Sequence, residues 1–190
     1  KSVEIQYHGN WAEKDGERYY FIYGWYLATG FQYIDDAWYY FNGSGVLQTG
    51  SYAVGQTMYR SDADGKLLTG VYKEAGKEYY YNGGQRITGW LALDGKKYYY
   101  NADGEKQFGK VQIGSAFYYF APETGELKTG LITTEENGQS VTYYTGWYEY
   151  LQSGWHRIDN QWYYFASDTK ESVKLEKSGS DENWITMEGK

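Results

Sequence analysis

The chain reads as an all-β repeat protein, a solenoid of stacked β-hairpins with about 20 residues per repeat, and three observations carry that reading. A paired aromatic returns throughout: Tyr19-Tyr20, Tyr39-Tyr40, Tyr79-Tyr80, Tyr98-Tyr99, Tyr118-Tyr119, Tyr143-Tyr144 and Tyr163-Tyr164, with Met58-Tyr59 filling the one gap. Eight units open at Trp11, Phe31, Ser51, Val71, Trp90, Lys110, Leu131 and Trp155, the first after Asn10 and the rest after glycine, with steps of 20, 20, 20, 19, 20, 21 and 24 residues. Ahead of the pairs stand tight-turn dipeptides such as Asp15-Gly16, Asp35-Asp36, Asp94-Gly95 and Asp159-Asn160, residue types that tolerate positive φ.

Within a unit the elements follow in a fixed order. A short alternating segment, such as FQYI or WLAL, predicts the first strand, and the turn dipeptide follows it. Then comes an aromatic run, AWYYFN, KKYYYN or SAFYYF, whose β propensity is high and whose side chains alternate between two faces. A glycine-bearing loop closes the unit, as in NGSGVLQTG, NADGEKQFG and PETGELKTG, and the single proline, Pro122, falls in such a loop. An isolated hairpin is marginal in water, so each must bury a face against its neighbours.

Composition agrees with a core made of rings. Leu, Ile, Val and Phe number 32 in 190 residues, or 17%, below the ~20% that marks disorder, and 25 Tyr with 8 Trp supply the missing apolar surface. The absence of cysteine removes disulfides and thiolate metal sites and suits secretion by a bacterium that does not rely on disulfides. A net charge of −7 without a basic stripe argues against nucleic acid, and no stretch has the length and apolarity for membrane insertion. Residues 1–10 read as the end of a preceding repeat or cap, 11–166 as eight hairpins in one solenoid, and 167–190 as a polar tail and the start of a further, truncated hairpin. Both ends look cut from a longer protein.

The units resemble the cell-wall-binding repeats of Gram-positive bacteria and their phages, a group that includes choline-binding, glucan-binding and clostridial-toxin repeats. SGWHRIDNQWYYF and TGFQYIDDAWYYFNGSGVLQTG carry the likeness most fully, and it extends over about residues 11 to 166. The resemblance implies a spiral with roughly three hairpins per turn and ligand sites in the clefts between successive hairpins. In choline-binding members it implies an aromatic cage built from the residue after glycine, the residue seven further on and a ring of the next hairpin. Such a cage holds a quaternary ammonium through cation–π attraction and burial of its methyl groups. Carried over residue by residue, the cage is complete only for Phe31 and Trp38 with Tyr59, and partly for Trp155 with Trp162. At the seventh position the other units place Arg18, Met58, Glu78, Lys97 and Phe117, and in the lengthened seventh unit the residue before the tyrosine pair is Thr142.

Those same two units share a longer similarity. GWYLATGFQYIDDAWYYF from Gly24 and GWYEYLQSGWHRIDNQWYYF from Gly146 both begin with an extra Gly-Trp-Tyr in the connecting loop. Trp25 and Tyr26, and Trp147 and Tyr148, therefore join the candidate ligand-binding residues, although a loop tryptophan can also fold back to plug an interior. Six hairpins apart, the two sets would face one side of the spiral and serve a polymer that repeats its unit.

Catalytic and metal readings find little support. Asp35-Asp36 occupies a turn register, and His8 and His156 lack patterned partners. SDADGK at 61–66 suggests a calcium loop, but Gly65 at its sixth position would make Arg60 the first ligand. Asn42-Gly43-Ser44 matches a sequon inside a hairpin loop. Neither a cofactor, a metal nor a catalytic residue is expected, and nothing speaks to oligomeric state. The chain is expected to be a non-catalytic cell-wall or polysaccharide-binding module of a secreted or surface protein. The resemblance makes a larger cell-wall hydrolase or glucansucrase a candidate parent. Polysaccharide is preferred to choline-bearing wall polymer because most cages lack their tryptophans. Host-glycan recognition by a toxin or adhesin, and a structural spacer, stay open as alternatives.

Overall fold

The computed structural model describes residues 6–8, 10–173, 175–177 and 185–187, and the side chains of 10–173. Every element assigned among them is a β-strand. The eight hairpins are Trp11–Lys14 with Glu17–Ile22, Gly30–Ile34 with Ala37–Phe41, Gly50–Val54 with Thr57–Ser61, and Gly70–Glu74 with Lys77–Asn82. Then follow Gly89–Leu93 with Lys96–Tyr100, Gly109–Ile113 with Ala116–Phe120, Leu131–Glu136 with Gln139–Tyr144, and Gly154–Ile158 with Gln161–Phe165. Short strands Gln6–His8, Tyr26–Leu27 and Gln85–Arg86 add to the first and fourth hairpins, and Leu175–Lys177 pairs with Ile185–Met187. Expectations for residues 1–5, 9, 174, 178–184 and 188–190 lie outside the described residues. The chain forms two compact units, one of residues 1–89 with 100–106 and one of residues 90–99 with 107–190.

The hairpin turns take the conformation their residues favour. Both central residues have positive φ at Asp15-Gly16, Asp35-Asp36, Asp94-Gly95, Asn137-Gly138 and Asp159-Asn160, the I′ geometry whose twist matches that of the strands. At Gly55 and Gly114 only the first does. Ala75-Gly76 adopts the same I′ geometry with Ala75 at φ 50°, a conformation for which alanine has no compensating side-chain hydrogen bond.

Alternation along the second strand sorts the rings. From the second hairpin on, the residue after the pair, or after Tyr59-Arg60 in the third hairpin, forms a buried column: Phe41, Ser61 and Tyr81 in the first unit, with Tyr100, and Phe120, Thr145 and Phe165 in the second, each no more than 3% exposed, while Phe21 of the first hairpin is half-buried. The first member of a pair shares that face, and Tyr39, Tyr79 and Tyr143 are buried with it. The two hydroxyl residues in the column are satisfied, Ser61 Oγ against Tyr52 OH at 2.8 Å and Thr145 Oγ1 accepting from the Gly130 amide at 2.7 Å.

Successive hairpins are joined by a repeated backbone bond. The closing segment of one hairpin donates an amide to the carbonyl just ahead of the aromatic pair of the preceding hairpin. In the first unit Leu47 donates to Arg18, Leu67 to Trp38 and Lys106 to Glu78, each at 2.8 Å. In the second, Leu127 donates to Lys97 at 2.8 Å, and Leu151 to Phe117 and Ser172 to Thr142 at 2.7 Å. The next residue turns its amide back to its own hairpin, as Gln48 does to Tyr40 at 2.9 Å and Gln152 to Tyr144 at 2.7 Å. Where the fourth closing loop is a residue shorter, Gly84 substitutes, accepting from Arg60 at 2.8 Å and donating to Leu68 at 2.7 Å.

Side chains lock the same joint. Leu27 packs over Gly45, Leu47 over Gly65, Leu67 over Gly84 and the Arg86 stem over Gly104, so closely that a Cβ on Gly65 would lie 2.6 Å from Leu47 Cδ2. Within the closing loops Asn42, Asp62 and Asn101 each accept two backbone amides through Oδ1. Asp62 of the calcium-like SDADGK segment thus does what neutral asparagine does in its sister loops. Ion pairs add to the first unit: Arg60 grips Glu74 through two bonds of 2.7 and 2.8 Å, Lys77 pairs with Glu105, and the poorly exposed Lys106 and Glu78 meet at 2.6 Å.

Three outcomes follow from this framework. Replacing Ala75→Asn stabilises the protein by about 1 kcal/mol, by removing left-handed strain at a turn; urea unfolding reads it. Gly65→Ala costs roughly 2 kcal/mol or more, because it adds a positive-φ penalty to a clash with Leu47; the same measurement reads it. Burial alone would push the Glu78 carboxyl up, but the hydrogen bond and charge of Lys106, with Lys73 beside it, hold it below its ordinary value. A carboxyl lowered on folding contributes stability that is complete above its unfolded value, about 4.3, and is lost as pH falls through the folded one. Acid unfolding therefore steepens below that pH, and Glu78→Gln flattens part of the limb in thermal melts at stepped pH.

Candidate functional site

The second hairpin carries the most complete aromatic cleft. Its register pairs Phe31 with Tyr40 and Tyr33 with Trp38, so these four rings share the face opposite the buried column. Phe31 lies 4.8 Å from Tyr40 and Trp38 lies 5.4 Å from Tyr33, centroid to centroid. The third hairpin brings Tyr59 to 5.0 Å from Phe31. It is held there by the clasp from Leu67 to the Trp38 carbonyl and by a 2.7 Å hydrogen bond donated by Gln85 Nε2 to Tyr59 OH. Phe31, Trp38, Tyr59, Leu67, Gly83 and Gln85 line a shallow, open cleft of about 300 Å³, the size of a small headgroup site. Trp38 is 50% exposed and forms the open wall. The three residues expected to form a cage are thus brought together.

The eighth hairpin repeats the arrangement in part. Trp155 pairs in register with Tyr164 and Arg157 with Trp162; Trp155 stands 5.2 Å from Tyr164 and 6.4 Å from Trp162, at 80°. Both tryptophans are about half exposed. The described rings make a corner from a single hairpin.

The loop aromatics do not close over these clefts. Trp25 and Tyr26 are exposed, 6.4 Å apart, on the loop whose Tyr26–Leu27 strand pairs with Phe21-Ile22, and the Phe31 cleft is lined without them. Trp147 is fully exposed, and Tyr148 stacks on Tyr150 at 5.1 Å. Neither tryptophan plugs an interior. The likeness of the two Gly-Trp-Tyr segments is one of sequence, because Tyr26–Leu27 continues a strand and the longer second loop does not.

Elsewhere the protein's own cations lie on the rings. Arg18 lies over Trp11 at 4.9 Å, and Arg86 over Tyr79 at 4.5 Å. Arg60 stands over Tyr72 at 4.9 Å, and Lys110 Nζ over Tyr143 at 5.0 Å. In the first unit this matters most at Trp11, which has the same neighbours as Phe31: Tyr20 at 5.0 Å and Tyr39 of the next hairpin at 5.3 Å. There Arg18, at the position of Trp38, occupies the face a ligand cation would use.

Sequence reasoning passed over one cleft. Trp90, Leu91, Ala92, Lys97, Tyr118 and Glu149 line about 350 Å³ in the second unit, with Trp90 5.0 Å from Tyr118 and 5.3 Å from Tyr99. Trp90, Lys97 and Tyr118 have the spacing of Phe31, Trp38 and Tyr59, a signal present in the sequence but set aside because Lys97 is not aromatic. Glu149, paired with Lys97 at 2.5 Å, comes from a distant loop and carries no sequence signal. The catalytic candidates are accounted for structurally. Asp35 and Asp36 are the turn residues of their hairpin. His156 bonds through Nε2 to the Ser153 carbonyl at 3.1 Å and packs 5.1 Å from Tyr144. His8 lies in a described strand, its side chain outside the described atoms.

Residues 87–131 match the family described as "Choline-binding repeat", and residues 29–47 and 153–168 the one described as "Putative cell wall binding repeat". Choline binding protein F of Streptococcus pneumoniae is 28% identical with a TM-score of 0.73, over 87% of this chain and 57% of its own. CbpJ of S. pneumoniae TIGR4 is 28% identical with a TM-score of 0.73, over 87% and 58%. Choline binding protein F crystallised with a peptidoglycan analogue is 30% identical with a TM-score of 0.67, over 85% and 57%. The chain spans somewhat over half the length of these structures. No curated protein matches it in sequence. The second, fifth, sixth and eighth hairpins, where these matches fall, carry repeats of the choline-binding and cell-wall-binding kind.

Proposed function

We propose that the chain is a non-catalytic attachment module that holds a secreted or surface protein on the cell wall, and that its Phe31–Trp38–Tyr59 cleft takes a quaternary ammonium group such as choline on a wall polymer. The observation that carries this is the cleft itself. Three rings from two hairpins face one small space, and on its rim Gln85 Nε2 already donates to the Tyr59 hydroxyl. A trimethylammonium group needs ring faces and apolar contact and no hydrogen bond, which is what this lining offers. The sequence preference for polysaccharide rested on the number of incomplete cages; the chemistry of the complete one favours choline. The similarity to choline-binding proteins supports the same choice.

The Trp155–Trp162 corner offers a second, weaker site of the same type in the other unit. Sites that are individually weak gain by engaging one polymer together. The chain's own arginines and lysine, by lying on Trp11, Tyr72, Tyr79 and Tyr143, take up ring faces that a ligand cation would otherwise use.

Choline is expected to quench tryptophan fluorescence with a dissociation constant on the order of 1 mM. Trp38→Ala weakens that response roughly tenfold, the scale of one lost ring contact and its buried area, with an unchanged circular dichroism spectrum. A Trp38→Ala protein that titrates like the parent, or a parent that does not respond to choline, removes this assignment.

A further inference from the structure

We propose that the Trp90 cleft and the loop after the seventh hairpin form a binding strip for a neutral oligosaccharide, chemically distinct from the Phe31 cage. The strip begins as a variant of that cage. Trp90 and Tyr118 stand where Phe31 and Tyr59 stand, but Lys97 replaces the tryptophan wall. A quaternary ammonium approaching these rings would meet another cation.

The extended loop supplies the rest. Its end is clasped to the sixth hairpin by the Leu151 amide on the Phe117 carbonyl at 2.7 Å. This places Glu149 against Lys97 and sets Tyr150 edge-on to Tyr118 at 6.4 Å. Tyr148 then stacks on Tyr150 at 5.1 Å and 26°. The rings run Trp90, Tyr118, Tyr150, Tyr148 without a gap. Trp90 is 43%, Tyr150 36% and Tyr148 58% exposed, a run of accessible rings that packing alone does not call for.

The chemistry fits a sugar. A pyranose ring presents C–H faces that stack on aromatic rings and hydroxyls that need both donors and acceptors. Lys97 donates and Glu149 accepts, each about half exposed on its side chain and within reach of a group lying on Trp90. Their charges balance, which favours a neutral saccharide over an anionic one. A strip of rings, rather than a single pocket, suits a chain of sugars. This reading does not depend on what the Phe31 cage binds.

Isothermal titration calorimetry of the full chain with α-glucan oligosaccharides and with glycan fragments of peptidoglycan tests it. At least one is expected to bind, and which one distinguishes a glucan from a wall source. Trp90 also packs against Tyr99 and Phe120, so the exposed positions decide. Tyr148→Ala and Lys97→Met each weaken saccharide binding roughly tenfold, and Tyr148→Ala leaves choline quenching as in the parent. Trp38→Ala does the reverse. The proposal is overturned if no saccharide of either kind binds, if both exposed variants bind as the parent does, or if saturating choline abolishes saccharide binding.

Discussion

The structure depends on the amide that each closing segment lends to the hairpin before it. A lone hairpin leaves the outer edge of its aromatic strand unpaired and one face of rings in water, and neither is tolerable. The clasp answers both at once. It covers the carbonyl ahead of the aromatic pair, and it brings the next hairpin close enough to bury the residue after the pair. Leu67 on Trp38 and Leu151 on Phe117 are the same bond in two units whose side chains have little in common.

Because the clasp uses only backbone, the side chain at the clasped position is free to vary, and that freedom makes the clefts differ. Trp38, Arg18 and Lys97 all accept the bond in the same way. Trp38 leaves a ring-walled space, Arg18 lays a guanidinium over Trp11, and Lys97 reaches out to Glu149. One scaffold position thus sets whether a cleft is an open apolar cage, a cleft filled by the protein itself, or an open cleft with a polar rim. Scaffold and specificity meet at one residue without competing.

Much of this was legible in the sequence, for physical reasons. Tight turns advertise themselves through residues that accept positive φ, so Asp35-Asp36 and Asp159-Asn160 located their hairpins, and the period fixed the register that joins Phe31, Trp38 and Tyr59. The tyrosine pairs were a less direct guide to the core. The column that is buried from the second hairpin to the eighth is the next residue, where Ser61 and Thr145 stand in for aromatics because a phenol or an amide waits to bond them. What could not be read is contact across long separations in the chain. Nothing local tells that Glu149 meets Lys97, or that Trp25 and Trp147, alike in their Gly-Trp-Tyr segments, stay out in solvent. Side-chain reach decides those, and it is a property of the fold.

The side chain seated over glycine, leucine at three joints of the first unit and Arg86 at the fourth, gives each of these joints a direction. Leu27 belongs to one hairpin and Gly45 to the next, and the same holds for Leu47 with Gly65 and Leu67 with Gly84. The second, third and fourth hairpins therefore each carry a knob toward their successor and a hollow toward their predecessor, and the two surfaces are not alike. Such a head-to-tail contact, repeated without a closing rotation, contains no geometric instruction to stop. The number of copies is then a matter of how many the gene encodes, which leaves an array of this kind free to lengthen or shorten by whole hairpins without redesigning any joint.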